Sequence, residues 1–197
     1  MKNCRLMVLI MTAAMTTTCA LWFPHHFLSD TQFLGRDGVF FQQSHSDCGG
    51  AALKMIFDHF CIPMDYGLLL QRLGTGPEGT TMLSIRQVAV AEGLRCEGWR
   101  LAPRDLPAIP LPAILLLRRS HFVVLESVNA AGEILILDPV RGKLRISVQK
   151  LLSVWKGETL LFSKPGTDAD QYRRWFARRN HGAARSSGRV SEARSLP

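Results

Sequence analysis

The apolar pattern changes period part-way along the chain, and this change constrains the fold most. In the first half, Leu53, Ile56, Phe57 and Phe60 recur at helical spacing and predict one core-facing helix starting near Cys48. Ser46 or Asp47 is placed to cap its first amides, and Pro63 follows its end. A second helix fits Tyr66 to Leu73. A third fits Thr81 to Glu92, with Gly93 as its stop. Between them Gly74-Thr75-Gly76-Pro77-Glu78-Gly79 reads as a loop. In the second half, Leu111 to Leu117, Phe122 to Val128 and Glu133 to Leu137 are short branched-aliphatic runs. Lys143 to Ile146 and Glu158 to Phe162 add two more strands, with turns at Asn129 to Gly132 and Arg141-Gly142 and a short helix from Val148 to Trp155. Helices first and antiparallel strands second predict an α+β domain, with a helical N-terminal half packed on an antiparallel sheet. The folded domain is expected over residues 39–163.

The ends of the chain read differently. Lys2 and Arg5 precede an apolar, threonine-rich run from Leu6 to Phe23. A positive start followed by an apolar run predicts that residues 1–23 are a signal peptide or a membrane anchor. Thr18-Cys19-Ala20 offers small residues for cleavage, but Thr16-Thr17-Thr18 makes a poor lipobox ahead of Cys19. Positive charge on the inner side sends the following domain outside the cytoplasm, into the periplasm or onto the inner membrane facing it. Residues 24–38 read as a linker with the turn Asp37-Gly38 at its end. Of the formal net charge of +8, much lies in a basic tail at residues 164–197, which holds eight Lys or Arg against three Asp or Glu. Such a tail reads as solvated and disordered, with surface association as a lesser option through Tyr172, Trp175 and Phe176. No specific nucleic-acid partner follows from it. In an oxidising compartment Cys61 and Cys96 are free to pair and leave Cys48 as a thiol.

Four residues form a candidate site. Cys48 sits at a helix start, where amides and dipole favour a thiolate nucleophile, although a lone cysteine there is more often a small packed residue. His121 opens a strand after the polar Arg118-Arg119-Ser120 and suits a general base, yet it also suits an ordinary strand-edge histidine. Asp138 ends the strand Ile134-Leu135-Ile136-Leu137. It can orient an imidazole if that strand pairs with the one opened by His121; the alternative is a turn aspartate before Pro139. Gln42 or Gln43 offers a side-chain amide to an oxyanion. His45 and His59 read as a loop residue and an exposed helix residue. No spacing suits a metal site and no glycine loop follows a strand to cradle phosphate, so no cofactor or metal is expected.

The segment from Gln42 to Leu53, together with His121-Phe122-Val123-Val124 and Leu137-Asp138-Pro139 followed by Gly142, resembles the double-glycine leader peptidase family. The approach through Leu106-Pro107 and Pro110-Leu111-Pro112-Ala113 and the end at Trp155-Lys156-Gly157 are similar too, so the resemblance runs from about Phe40 to Phe162. It implies a papain-like cysteine peptidase fold. It also implies Cys48 as nucleophile, His121 as base, Asp138 as orienting carboxylate and Gln42, rather than Gln43, as oxyanion donor. The implied reaction is cleavage after a Gly-Gly pair in leader peptides of secreted peptides or secretion-system components. Glycine suits a cleft too narrow for other residues. The apolar N-terminal run and the lack of transporter segments after the core give the expectation of a stand-alone exported member. Its partners would be a Gly-Gly leader substrate and export machinery, either an ABC transporter or an outer-membrane secretion system, with possible membrane association. The rival expectation is a non-catalytic leader-binding module of the same fold. A transferase or amidase using the same triad is a third class.

Overall fold

The computed structural model describes residues 31–129 and 132–166. The N-terminal run at 1–23, the start of the linker and almost all of the tail lie outside the described residues, as does part of the turn after Asn129. Helix α1 spans Cys48–His59, α2 Tyr66–Leu73 and α3 Met82–Ala91. The strands are β1 Thr31–Gly35, β2 Arg95–Arg100, β3 Ala113–Leu117, β4 His121–Val128, β5 Glu133–Asp138, β6 Gly142–Ser147 and β7 Trp155–Ser163. A 3-10 turn at Pro103–Ala108 and helix α4, Val148–Val154, complete the order.

The strands form one seven-stranded antiparallel sheet ordered β1-β6-β5-β4-β3-β7-β2. Both of its faces are covered. Phe122, Val124, Leu137, Leu160 and Phe162 pack under α1, α2 and α3. Alternate residues Val123, Leu125, Ile134 and Ile136 face a second core with Leu106, Leu151 and Trp155. Burial on two faces explains why the central strands read as unbroken apolar runs. In α1, Leu53, Ile56 and Phe57 are wholly buried, each worth about 1.5–3 kcal/mol. Among the described residues no helix is long and apolar enough to cross a membrane.

The local chemistry explains the helix ends. The Asp65 carboxylate accepts from the Leu68 amide at 2.9 Å, and Gly74 ends α2 in the left-handed region at φ 63°. Thr81 and Ser147 cap α3 and α4 through their hydroxyls. At α1 the expectation of a side-chain cap fails. Asp47 stands at the N-cap position, but its carboxylate turns back and accepts from the Gln43 and Ser44 amides, each at 3.0 Å. Buried to 1% exposure, it accepts the Tyr66 hydroxyl as well, at 2.9 Å.

Two strands were not expected, and they are the two edges of the sheet. The segment read as a linker carries β1, which pairs with β6 from Thr31↔Ile146 onward. Arg95-Cys96-Glu97-Gly98-Trp99-Arg100 forms β2 against β7. An edge strand needs fewer apolar residues, so neither stands out from its surroundings. The strand expected from Leu111 begins at Ala113, because Pro112 has no amide hydrogen for the ladder. The proposed Cys61–Cys96 bridge is absent: Cys61 is exposed, Cys96 is buried in the core under the helices, and both are free thiols.

Candidate active site

Antiparallel pairing puts the start of β4 and the end of β5 at one end of the sheet. His121 Nε2 there lies 2.9 Å from Asp138 Oδ1. The same carboxylate oxygen accepts the Val140 amide at 2.9 Å and the Arg141 amide at 3.4 Å, so the β5–β6 turn holds it in place. That turn closes at Gly142 with φ 106°, where a Cβ would meet the Gly35 carbonyl oxygen at 2.7 Å. Only glycine combines this backbone with this approach.

Helix α1 meets the same end of the sheet at its first residue. Cys48 Sγ lies 3.9 Å from the Ser120 carbonyl oxygen, and the His121 ring is close enough to lower its thiol pKa. With Nε2 committed to Asp138, Nδ1 is the ring nitrogen left for the thiol. The approach depends on small residues at the helix start. A Cβ on Gly49 would sit 2.4 Å from Thr80 Cγ2 and 3.1 Å from Phe122 Cδ2. The structure therefore brings Cys48, His121 and Asp138 together at the seam between helices and sheet, with His121 hydrogen-bonded to Asp138 and coupled to the Cys48 thiol.

The electrostatics follow from that chain. Burial pushes the Cys48 thiol up, but the His121 hydrogen bond, the Phe122 and Gly49 amides and the imidazolium charge outweigh it and hold the thiol below its usual range. Burial disfavours the charged His121 ring, yet the hydrogen bonds and charges of Asp138 and Cys48 raise it to about 9. Asp138 is held below the usual carboxylate range: burial opposes this, while His121 and the two turn amides bring it about. Cys96 is the contrast within the same fold. Burial without such partners pushes that thiol to about 12.

Gln42 is tied to this end of the sheet by its backbone, whose amide donates to the Pro139 carbonyl at 3.1 Å. Its side-chain Nε2 donates to the Ser44 carbonyl at 2.6 Å, while Oε1 is buried without a hydrogen-bond partner. Gln43, the alternative by composition, is exposed. His45 and His59 are exposed as well, away from the buried chain of groups. Sequence reasoning missed what Asp47 and Tyr66 do. Together they tie the Gln43-Ser44 backbone beside Gln42 to the start of α1 and α2. The Phe40 ring, 4.5 Å from that of Tyr66, anchors the same lead-in.

A cavity of about 350 Å³ is lined in part by His121 and Asp138. Its floor includes Ile136, Leu144 and Ile146, and Arg118, Arg141 and Lys150 also line it. Arg118 and Arg119 occupy the left-handed region, at φ 50° and 63°, in the turn that delivers His121. This conformation costs roughly 1–2 kcal/mol per non-glycine residue. Among the described residues no cluster of His, Cys, Asp and Glu is suited to hold a metal.

A helical layer, an antiparallel sheet and a cysteine–histidine–aspartate chain at their seam are the marks of a papain-like peptidase. Residues 37–167 match the Peptidase C39 family, and the chain belongs to it. It is similar to the lactococcin-G-processing and transport ATP-binding protein LagD of Lactococcus lactis subsp. lactis, 30% identical over 134 residues, which are 64% of this chain and 19% of that protein. It is also similar to the probable functional amyloid protease FapD of Pseudomonas aeruginosa, 28% identical over 142 residues, 66% of this chain and 61% of that protein. The chain thus spans less than two thirds of the length of either relative. Among solved structures, a double glycine motif protease from an AMS/PCAT transporter, in complex with the leader peptide, superposes with a TM-score of 0.60 at 26% identity. The match covers 63% of this chain and 89% of that one. The peptidase domain of Streptococcus ComA shares the fold, with a TM-score of 0.60 at 22% identity over 64% of this chain and 97% of that one.

Proposed function

We propose that the chain is a cysteine endopeptidase that cleaves after a Gly-Gly pair in leader peptides, with Cys48 as nucleophile and His121 as base. The observation that carries this reading is the His121–Asp138 pair at 2.9 Å beside the Cys48 thiol, which His121 holds below its usual range. The Cys48 thiolate attacks the carbonyl carbon of the residue before the scissile bond. The His121 imidazolium then gives its proton to the leaving amine, and a thioester remains on Sγ. Water attacks that thioester while His121 takes the proton, and the thiolate departs. Asp138 fixes the ring through Nε2 and stabilises its charge throughout.

The developing oxyanion needs donors. The Cys48 amide belongs to the first turn of α1, whose N–H groups have no intrahelical acceptor. Gln42 is the second donor once its carboxamide turns Nε2 away from Ser44; its partnerless Oε1 has no hydrogen bond to lose in that turn. The Gly-Gly specificity is supported by likeness to the double glycine motif protease, and a secreted or secretion-system substrate by likeness to LagD and FapD. The same likenesses support export machinery as a partner. Lys2, Arg5 and the apolar run to Phe23 support export to the periplasm or anchoring at the inner membrane. An alkaline phosphatase fusion after residue 30 tests the address, and an inactive fusion refutes it.

The test of the chemistry is cleavage of a synthetic leader peptide ending in Gly-Gly, followed by mass spectrometry. The native chain is expected to cut after the second glycine, and Cys48→Ala to cut nothing while melting at a similar temperature. Full cleavage by that variant would refute the mechanism. Equal cleavage of a peptide with Val-Val in place of Gly-Gly would refute the specificity.

A further inference from the structure

Two carboxylates are buried among the described residues, Asp138 at 4% exposure and Asp47 at 1%. Asp138 serves His121. The donors on Asp47 come from elsewhere. The Gln43 amide donates to its Oδ2 and the Ser44 amide to its Oδ1, each at 3.0 Å, and the Tyr66 hydroxyl donates to Oδ2 at 2.9 Å. A carboxylate is costly to bury unless such donors meet it. Tyr66 also reaches the Asp47 carbonyl at 3.3 Å. Gly50 gives this corner its room: a Cβ there would lie 3.5 Å from the Tyr66 hydroxyl and 2.5 Å from Leu70 Cδ2. Burial, then the Asp47 hydrogen bond and charge, push the Tyr66 phenol up, so it stays a proton donor.

What Asp47 holds is the turn that carries Gln42. The Gln42 carboxamide donates to the Ser44 carbonyl at 2.6 Å, and the amide of the same Ser44 donates to Asp47. The Gln42 amide donates to the Pro139 carbonyl, in the turn that holds Asp138. The segment is thus fixed to the start of α1 on one side and to the β5–β6 turn on the other. Cys48 follows Asp47 directly in the chain.

We infer that Asp47 and Tyr66 are positioning residues for the oxyanion donor: the Asp47 carboxylate, clamped by Tyr66, sets where the Gln42 carboxamide stands relative to Cys48. The inference rests on the peptidase reading and adds two residues to it. Asp47 acts through the Ser44 backbone and Gln42, and not on the reacting atoms. Misplacing such a group by about 1 Å is enough to slow a reaction about 10²-fold. The groups that lower the Cys48 thiol are His121, Phe122 and Gly49, and Asp47 is not among them. An oxyanion donor works in the transition state, so its loss falls on kcat rather than on KM.

The experiment is steady-state cleavage of a Gly-Gly peptide by variants of the full chain. Gln42→Ala is expected to lower kcat about 10²-fold. Asp47→Asn keeps the size of the side chain and puts an amide donor against the backbone amides. It is expected to lower kcat about ten- to thirtyfold with KM within about twofold. Added to Gln42→Ala, it is expected to cost less than about twofold more, because the donor it serves is already gone. Alkylation by iodoacetamide forms no oxyanion, so the pH profile of Cys48 alkylation should keep its place in Asp47→Asn. Losses that multiply in the double variant, or a displaced alkylation profile, would assign Asp47 to the fold or to the thiol and overturn the inference. If Asp47→Asn does not fold, Tyr66→Phe decides, since it keeps the ring against Phe40. It is expected to lower kcat about threefold in the native chain and not at all in Gln42→Ala; equal losses in both would overturn the inference. If the native chain cuts no peptide, the peptidase reading fails, and the NMR signal of the Gln42 carboxamide decides the positioning. Assigned by its loss in Gln42→Ala, that signal is expected to shift in Tyr66→Phe, and an unmoved signal would overturn the inference.

Discussion

Two cysteines of this chain are buried in one continuous core, and their fates are opposite. Cys96, in β2, is 3% exposed and its thiol is pushed to about 12. Cys48, at the seam, is 8% exposed and its thiol is held below the ordinary range. Burial raises both, so burial does not decide the outcome. The partners do. Cys48 has an imidazolium and two amides aimed at the sulfur. For Cys96 the Arg86 charge favours the thiolate and Glu97 opposes it. A thiolate is favoured here by bringing a helix start and two strand ends together.

The largest effect is expected from removing the partner. His121→Ala leaves Cys48 buried without its cation, so its thiol should climb toward that of Cys96. Cleavage should fall about 10³-fold or more. Steady-state cleavage of a Gly-Gly peptide checks this, and a fall of less than tenfold would mean that another group serves as base.

Asp138→Asn keeps the shape and removes the charge. Losing a charge-assisted hydrogen bond of about 1.5–3 kcal/mol predicts a rate lower by about ten- to a hundredfold. The pH profile should move with it. The proposed mechanism needs Cys48 as thiolate and His121 protonated. The acid limb therefore lies below the ordinary thiol value, and the alkaline limb falls near 9. In the variant the alkaline limb should shift toward about 6.5. Stability follows the same sign: the raised His121 contributes fully below about 6.5, and its contribution is lost as pH rises through about 9. Melting temperatures across that range check this half of the prediction.

Gly49→Ala tests the seam itself. The added Cβ would meet Thr80 and Phe122, so it should cost about 1–3 kcal/mol of stability, read by denaturant unfolding. The smallest effect belongs to the other cysteine. Cys96→Ala should cost about 1 kcal/mol of stability and leave cleavage as it was.

What was legible in the sequence follows the same division. The central strands and α1 to α3 announced themselves because Leu53, Ile56, Phe57 and the aliphatic runs around Val123 and Ile136 are buried with a regular period. The edge strands β1 and β2 did not, since pairing on one side requires little apolar content. At the site, Cys48, His121 and Asp138 could be nominated by type and position, while Gln42 was preferred to Gln43 only through the family resemblance. No sequence pattern could say that Asp47 turns back to the Gln43-Ser44 amides and to Tyr66 instead of capping α1. That choice depends on a tyrosine brought close by the packing of α2 on α1. Likewise Arg118 and Arg119 read only as a polar approach to His121; their left-handed turn, and the cavity it borders, exist only once α4 lies against the hairpin.

The most direct measurement is the pH dependence of alkylation at Cys48 and Cys96, followed by mass spectrometry of the native chain and of His121→Ala. Cys48 is expected to react with iodoacetamide at pH values below the ordinary thiol range, while Cys96 stays unmodified until the fold is lost. His121→Ala should shift the Cys48 profile upward. A Cys48 profile like that of an ordinary thiol, unmoved by His121→Ala, would contradict the thiolate–imidazolium pair and the peptidase mechanism built on it.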